Sequence, residues 1–172
     1  GAHGSGVMPD RIAACRKSVA AVCGAPPLKR GPWGNGFPAG ADLPGGKRQF
    51  HDYSFVVFPA AKAYEGFLKK LFFDLNFITE EDYYGKHFRI GKALNPSLPR
   101  EYRREGVYDK IVKHCQGESL ADKLWEAWRL SRNLTFHWFP NEKNALTLAE
   151  AGQRVQMIIN VIDEAFVGCK IV

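Results

Sequence analysis

The sequence contains no long hydrophobic run. None of its apolar stretches approaches the roughly 18–20 residues that a helix needs to span a bilayer. It also shows no basic segment followed by a short apolar one, which is the pattern of a secretory signal. These two absences predict a protein that does not associate with a membrane and that is located in the cytoplasm.

Cysteine is scarce and irregularly spaced. The four cysteines form no Cys-x-x-Cys pair, and none has the spacing to histidine that zinc sites use. This pattern favours reduced and mostly buried thiols over a redox role, and it predicts neither a metal site nor a cofactor. The four residues are Cys15, Cys23, Cys115 and Cys169.

Positive charge exceeds negative charge in an otherwise ordinary globular composition. The 172 residues are 45% hydrophobic and 24% charged, which suits one domain with a real core. The net charge of +6 favours an acidic partner. Nucleic acid is the commonest partner of this kind, and an acidic protein is the alternative.

The chain divides into three stretches. Residues 1–7 precede Met8 and resemble the scar of an expression vector, so they are left out of the fold prediction. Residues 8–48 comprise an N-terminal helix and a Gly/Pro-rich loop, and residues 49–172 form a helical domain. The loop is interpreted as a solvated linker or, alternatively, as a basic arm that touches RNA or a partner. Its basic residues are Lys29, Arg30, Lys47 and Arg48.

Apolar residues at three- and four-residue spacing predict four main helices in residues 49–172. The first covers about residues 51–77, and Pro59 either kinks it or starts its second half. The helical pattern lapses between residues 79 and 99, and the second helix then follows, broken near Gly106.

Two capping boxes are predicted to open the last two helices. They pair Ser119 with Asp122 and Thr147 with Glu150. No pair of strands is indicated. The predicted fold class is therefore all-α, a bundle of four main helices plus the N-terminal helix.

Two groups of basic residues are candidates for contacts with RNA. Residues 83–92 interleave aromatic and basic side chains, among them Lys86 and Arg89, which suits base stacking and phosphate contacts. Core packing beside solvated lysines explains this segment equally well. The first turn of the helix after residue 99 is basic, against the preference of the helix dipole. It is interpreted as a phosphate-binding rim or as a solubilising surface, and its arginines are Arg100, Arg103 and Arg104.

Residues 127–140 hold the strongest candidate for a catalytic site. Arg132 precedes His137 by five positions, and Asn133 precedes it by four. Imidazole suits proton transfer because its pKa lies near neutrality, and the arginine fork suits phosphate charge because it stays protonated. Asn133 and His137 would share a helical face, so the amide is predicted to orient the imidazole or the phosphate. These residue types fit cleavage of RNA without a metal ion.

An ideal helix opposes this arrangement, because Arg132 and His137 would point about 140° apart. Three arrangements would still bring the two side chains to one site. The helix loosens before Pro140, the long arginine side chain reaches around the helix, or a second subunit completes the site. The competing interpretation makes His137 a partly buried histidine that the dipole favours at a helix C-terminus.

Lys62 and Glu65 lie three residues apart on the first main helix and share a face. They form an exposed ion pair with each other, or they project together into a cleft.

Four segments of the sequence carry a resemblance to a known family. The pattern Arg132-Asn133-x-x-x-His137 resembles the signature of the HEPN superfamily, helical-bundle proteins of which many are RNases. More closely, about residues 50–167 resemble the HEPN domain of RNase LS-type toxins of bacterial toxin–antitoxin and antiphage systems. The segments are residues 61–69 (Ala-Lys-Ala-Tyr-Glu-Gly-Phe-Leu-Lys), 90–92 (Ile-Gly-Lys), 124–128 (Leu-Trp-Glu-Ala-Trp) and 132–140.

The resemblance implies a composite site and a set of partners. The Arg-x4-His motif is joined there by a basic residue and a glutamate, three apart on an earlier helix, which Lys62 and Glu65 match. The family often has arginine at the position of Lys62, and lysine lacks the bidentate fork. The resemblance also implies a homodimer with two motifs facing one cleft, an RNA substrate and a cognate antitoxin protein.

The expected function is that of a metal-independent endoribonuclease. The 2′-hydroxyl of RNA attacks the phosphorus and expels the 5′-oxygen, which leaves a 2′,3′-cyclic phosphate. The alternatives are a catalytically inert HEPN module that binds nucleotide, RNA or a partner protein, and a purely structural helical dimer. Large aromatic residues around one helix favour a homodimer, since a monomer hides them poorly. They are Trp125, Trp128, Phe136, Trp138 and Phe139.

Overall fold

The computed structural model describes residues 50–103, 106–115, 117–137 and 144–170. Every regular element in these ranges is helical, and they contain no strand, so the all-α prediction is confirmed for this part of the chain. None of the helices in the described ranges is long and apolar enough to cross a membrane. The predicted N-terminal helix and the Gly/Pro-rich loop 24–48 lie outside the described residues.

The elements follow one another with short connections. The longer helices, α1, α5, α6 and α8, correspond to the four main helices expected from the sequence. In chain order the elements are α1 (Ser54–Asp74), α2 (Glu80–Tyr84), α3 (Ile90–Ala93), α4 (Arg100–Arg103), α5 (Val107–His114), α6 (Glu118–Trp128), a π-helical segment (Arg129–Asn133, the π segment), α7 (Leu134–Phe136) and α8 (Leu148–Gly168).

The core lies between α1, α5, α6 and α8. A fully buried aliphatic or aromatic side chain contributes about 1.5–3 kcal/mol relative to an exposed one, so this layer accounts for much of the stability of the fold. A smaller cluster forms near the start of α1, where Val57 and Ala61 pack with Leu146 and Ala151. The largest fully buried side chains of the main core are Tyr64, Phe72, Leu68, Leu94, Ile111, Leu124 and Ile158.

Tyr64 fixes α1 against α6. Its side chain is fully buried, and its hydroxyl donates a hydrogen bond of 3.0 Å to the Leu124 carbonyl. Burial raises the pKa of Tyr64 well above its ordinary value, so the hydroxyl stays neutral. Because Tyr64 faces the core, its neighbours Lys62 and Glu65 are turned toward the surface.

The first main helix is shorter than predicted, and Pro59 lies inside it rather than at the start of a second half. It ends because Asn76 adopts a left-handed conformation with φ of 56°. The Phe77 amide then donates to the Phe72 carbonyl, and the Asn76 amide donates to Phe73, which satisfies carbonyls at the end of the helix.

One of the two predicted capping boxes is present in the structure, and the other is not. Thr147 and Glu150 form the box expected at the start of α8. The box of Ser119 with Asp122 was wrong, because α6 begins at Glu118 after Gly117, and Asp122 instead accepts a hydrogen bond from the Tyr108 hydroxyl.

The prediction that residues 79–99 contain no helix was also wrong. Both α2 and α3 lie there, and Thr79 with Asp82 forms a complete box that opens α2. These helices span only four or five residues, too few to show a hydrophobic period.

Cys115 and Cys169 form a disulfide that joins the end of α5 to the end of α8. The expectation of reduced thiols was therefore wrong for this pair. The two residues are 54 positions apart in sequence, and only the packing of α5 beside α8 brings them together. Disulfides persist chiefly in oxidising compartments, so the bond does not support the predicted cytoplasmic location. Cys15 and Cys23 lie outside the described residues.

Candidate functional site

The helix that carries the Arg-x4-His motif changes its hydrogen-bond register where the motif begins. In the π segment, the Leu134 amide donates to the Arg129 carbonyl, five residues back, instead of to the Leu130 carbonyl, four residues back. Within such a turn, two residues five positions apart point in directions about 40° apart around the helix axis. In an α-helix that is the angle between residues four positions apart. Such π turns occur frequently at functional sites.

Two hydroxyl side chains support the altered register. Ser131 is fully buried and donates to the Ala127 carbonyl. Thr135 donates to the Leu130 carbonyl at 2.6 Å, so it occupies an acceptor that the π register has released. Both side chains hydrogen-bond inside the helix, which satisfies polar groups that are almost excluded from water.

Arg154, on α8, contacts the same carbonyl and the Thr135 hydroxyl. Its Nη1 donates to the Leu130 carbonyl and, at 2.7 Å, to the Thr135 hydroxyl oxygen. Burial lowers the pKa of Arg154, and nearby Arg129 lowers it further, while Glu150 acts in the opposite direction. Arginine nevertheless remains charged, so these are charge-assisted hydrogen bonds. Sequence reasoning missed Arg154, because nothing in the periodicity of α8 relates it to the motif.

Arg132 faces α1 and forms an ion pair with Glu65. The distance from Nε to Oε2 is 3.6 Å, and the two side chains are 41% and 42% exposed. An ion pair as exposed as this contributes only about 0–1 kcal/mol to stability. The guanidinium carbon also lies 5.6 Å from the centre of the Phe136 ring. Both groups are thus accessible to a ligand.

Lys62 lies one turn before Glu65 on α1, with its side chain exposed. The structure describes both residues and shows no ion pair between them. Glu65 instead pairs with Arg132, so the interpretation of Lys62 and Glu65 as an exposed pair was wrong. Glu65 on α1 therefore meets Arg132 of the π segment, and Lys62 lies one turn earlier on the same helix.

His137 stands where the helix has ended. The last helical residue is Phe136, and His137 has extended backbone, with φ of −88° and ψ of 130°. Its side chain is exposed, and within the described part of the chain no hydrogen bond or ion pair joins it to Arg132, Glu65 or Lys62. The helix thus loosens before Pro140, which is one of the three arrangements expected from the sequence.

Asn133 does not share a helical face with His137, because the helix stops between them. This part of the prediction was wrong. Asn133 is half-buried at the end of the π segment, and the described residues offer its side chain no hydrogen bond. A different amide, that of Asn144, donates to the Leu134 carbonyl at 3.0 Å and closes the end of the helix.

Among the described residues, the basic side chains predicted to bind RNA form no hydrogen bond or ion pair with Arg132 or Glu65. Lys86 and Arg89 are exposed in the connection between α2 and α3. The structure describes only the backbone of Arg100 and Arg103, in α4, and Arg104 lies outside the described residues.

The segment after Arg89 packs against the end of α6. A Cβ on Gly91 would lie 2.9 Å from the indole nitrogen of Trp128, so only glycine fits there without displacing that ring. Two segments that carry the family resemblance, residues 90–92 and 124–128, thus contact each other.

Aromatic rings extend the site toward the start of α1. The Phe58 ring packs edge-on against Phe136, with centroids 5.3 Å apart, and Phe58 is 53% exposed. Phe50 and Phe55 are also exposed, and their rings are in contact with each other. These four residues, Phe50, Phe55, Phe58 and Phe136, are called the aromatic surface. Sequence reasoning identified only Phe136 among them, since Phe55 and Phe58 read as one strip of a buried helix.

The part of the chain that the structure describes contains no group of three or more His, Cys, Asp or Glu side chains placed to hold a metal ion. A groove of about 400 Å³ lies between α6 and α8, with Lys123, Glu126 and Gln153 among its lining residues. Glu126 there accepts two hydrogen bonds from Arg129, at 2.6 and 2.8 Å, which hold the pKa of its carboxyl below the usual range. The groove includes none of the predicted site residues.

Comparison with known proteins adds no relative to this picture. No protein-family model, no curated protein and no solved structure matches the chain.

Proposed function

We propose that the chain is a metal-independent endoribonuclease of the HEPN type, with Arg132, Glu65, Lys62 and His137 at its site. The observation that supports it best is the ion pair of Arg132 with Glu65 beside the π segment. That pair joins the Arg-x4-His motif to the earlier helix on which the family resemblance expects a glutamate. Both side chains of the pair are also partly exposed, so a phosphate group can reach the guanidinium.

The proposed reaction is a transesterification. A base removes the proton of the 2′-hydroxyl, the 2′-oxygen bonds to phosphorus, the bond to the 5′-oxygen breaks, and an acid protonates the leaving oxygen. His137 is the proposed acid or base. Arg132 meets the negative charge that develops on the phosphorane, and Lys62 adds a point charge beside it. Glu65 orients Arg132, and Asn133 orients the phosphate rather than the imidazole.

The proposed assembly is a homodimer that places two motifs in one cleft. It is supported by the aromatic surface, because half-exposed phenylalanines beside the site favour cover by a partner of similar chemistry. A second copy would also bring a second His137, so that one imidazole removes a proton while the other supplies one. From the family resemblance we further propose a toxin of an antiphage or toxin–antitoxin system, held by a cognate antitoxin protein.

An inert HEPN module that binds nucleotide, RNA or a partner remains the second candidate. One observation favours it: among the described residues, no side chain donates to or accepts from the His137 imidazole. An acid or base that is not oriented transfers protons less effectively.

Cleavage of a generic RNA in the presence of EDTA tests the proposal. The wild type is expected to produce 2′,3′-cyclic phosphate ends, identified by mass spectrometry, and His137→Ala is expected to produce them about 100-fold more slowly, or slower still. His114→Ala is the matched control, because His114 is an exposed histidine at the end of α5, outside every segment proposed to contact RNA, and it should cleave like the wild type. Binding of RNA without cleavage, or a strict need for a divalent ion, would favour the second candidate or another mechanism.

A further inference from the structure

The π segment releases a backbone acceptor that a regular helix would use. In an α-helix the Leu130 carbonyl would accept from the Leu134 amide, but that amide donates to Arg129. The carbonyl instead accepts from the Thr135 hydroxyl and from Arg154. The π register therefore depends on two side chains, one from the same helix and one from α8.

Arg154 is the stronger of these two supports. It carries a full charge, it contacts both the Leu130 carbonyl and the Thr135 hydroxyl, and it is partly withdrawn from water. Hydrogen bonds with one charged partner are about twice as strong as neutral ones, and they strengthen further away from water. Without Arg154, the segment would gain by returning to the α register, in which the Leu134 amide satisfies the Leu130 carbonyl.

A return to the α register would move the candidate site. Loss of the π turn removes the equivalent of one inserted residue, which rotates everything after it by about 100° relative to α6. Arg132 lies within the segment, and Phe136 and His137 follow it. Their direction relative to Glu65 on α1 therefore depends on the register.

We propose that Arg154 is a positioning residue, which holds the π register and thereby aims Arg132 at Glu65 and sets the direction of His137. It acts through the backbone of the motif and does not itself touch the substrate. This inference rests on the proposed function only for its catalytic consequence, since the register is a property of the folded chain.

The experiment compares Arg154→Met, which removes the donors, with Arg154→Lys, which keeps a charge and three donors. Lys123→Met is the matched control, because it removes an exposed cation that pairs with Glu164, away from the motif. The first readout is amide hydrogen exchange of residues 129–137 by NMR, which needs no activity. A change in the exchange rates and amide chemical shifts of these residues in Arg154→Met, with those of α1 unchanged, is the expected result.

The second readout is cleavage of RNA. Arg154→Met should lower kcat by about 10–100-fold, the range for displacing a catalytic group by about an ångström, with little change in KM. Arg154→Lys should recover part of the loss, and Lys123→Met should behave like the wild type. Thr135→Val should lower kcat in the same direction but by less, and it should add little to Arg154→Met, because both act on one carbonyl.

The outcomes separate the two proposals. Wild-type exchange in Arg154→Met would overturn the inference, whether or not the chain cleaves RNA. Wild-type protein that leaves RNA intact would overturn the proposed function, while altered exchange would still support the role of Arg154 in the register. If Arg154→Met fails to fold, Arg154→Lys and Thr135→Val decide: wild-type kcat and exchange in both would overturn the inference.

Discussion

Arg132 pairs with Glu65 across the interface of the π segment and α1, at 3.6 Å from Nε to Oε2. The pairing replaces the contact of Glu65 with Lys62 that their spacing on one helix favours. A carboxylate on a neighbouring helix thus meets the arginine of the motif, while Lys62 remains exposed beside them.

Arg132→Ala and His137→Ala should each lower cleavage by about two orders of magnitude or more, the range for losing a charge contact or a positioned acid or base. Both variants should melt near the wild type, because both side chains are accessible and contribute little to packing. The double variant should be hardly worse than either single one, since the residues serve one transition state. A His137→Ala protein that unfolds while its folded fraction cleaves normally would make the histidine structural.

Glu65→Gln and Lys62→Ala should each reduce kcat, by less than the loss of Arg132. The Glu65→Gln variant would keep a hydrogen-bond acceptor but lose the charge that holds the guanidinium, and Lys62→Ala removes a cation near the phosphate. Steady-state kinetics with a fluorogenic RNA measures both effects. Lys113→Ala, an exposed lysine on α5, is the control and should leave kcat unchanged. Equal rates for Lys62→Ala and Lys113→Ala would remove Lys62 from the site.

The aromatic surface should carry the dimer contact. At micromolar concentration, light scattering should give a dimer for the wild type and a monomer for Phe58→Ser, because the substitution removes exposed apolar area that packs against Phe136. Tyr84→Ser alters a more exposed aromatic residue on α2 and should leave the dimer intact. A monomeric wild type would count heavily against a cleft built from two motifs.

Removal of the disulfide should destabilise the fold without changing the site. The bond closes a loop between residues 54 positions apart, which corresponds to about 4 kcal/mol in the chain-entropy model. Urea unfolding of Cys115→Ser should show a loss of this order, and dithiothreitol should affect only the wild type. Cleavage below the melting transition should be unchanged, because Cys115 and Cys169 lie at the ends of α5 and α8, away from Arg132.

Asp52 should make stability depend on pH. Burial alone would raise the pKa of Asp52, but hydrogen bonds from the Leu146 and Ser54 amides and the Ser54 hydroxyl outweigh it, so the pKa lies below its ordinary value of 3.8. A group with a lowered folded pKa stabilises the fold above the ordinary value and loses that contribution as the pH falls through the folded pKa. The advantage of the wild type over Asp52→Asn should therefore be present at pH 7 and shrink below pH 3.8. A difference that is the same at pH 7 and at pH 3 would contradict it.

The sequence by itself determined the fold class, the capping box of Thr147 with Glu150 and the position of the Arg-x4-His motif. These features are local, because a hydrophobic period of three to four residues and a box of four residues are written within one helix. Short helices such as α2 and α3 escaped detection since they complete little more than one turn. The box at Ser119 failed because Asp122 found a competing donor, Tyr108, on another helix.

Tertiary structure alone decided the register of the motif, the partner of Glu65 and the pairing of Cys115 with Cys169. Each depends on which helices pack together: α8 brings Arg154 to the Leu130 carbonyl, and α1 brings Glu65 to Arg132. The periodicity of the sequence assigns a residue to one face of a helix, but it does not show which helix packs against that face. The direction in which Arg132 points therefore follows from packing between helices, even though its position in the chain was evident from the first.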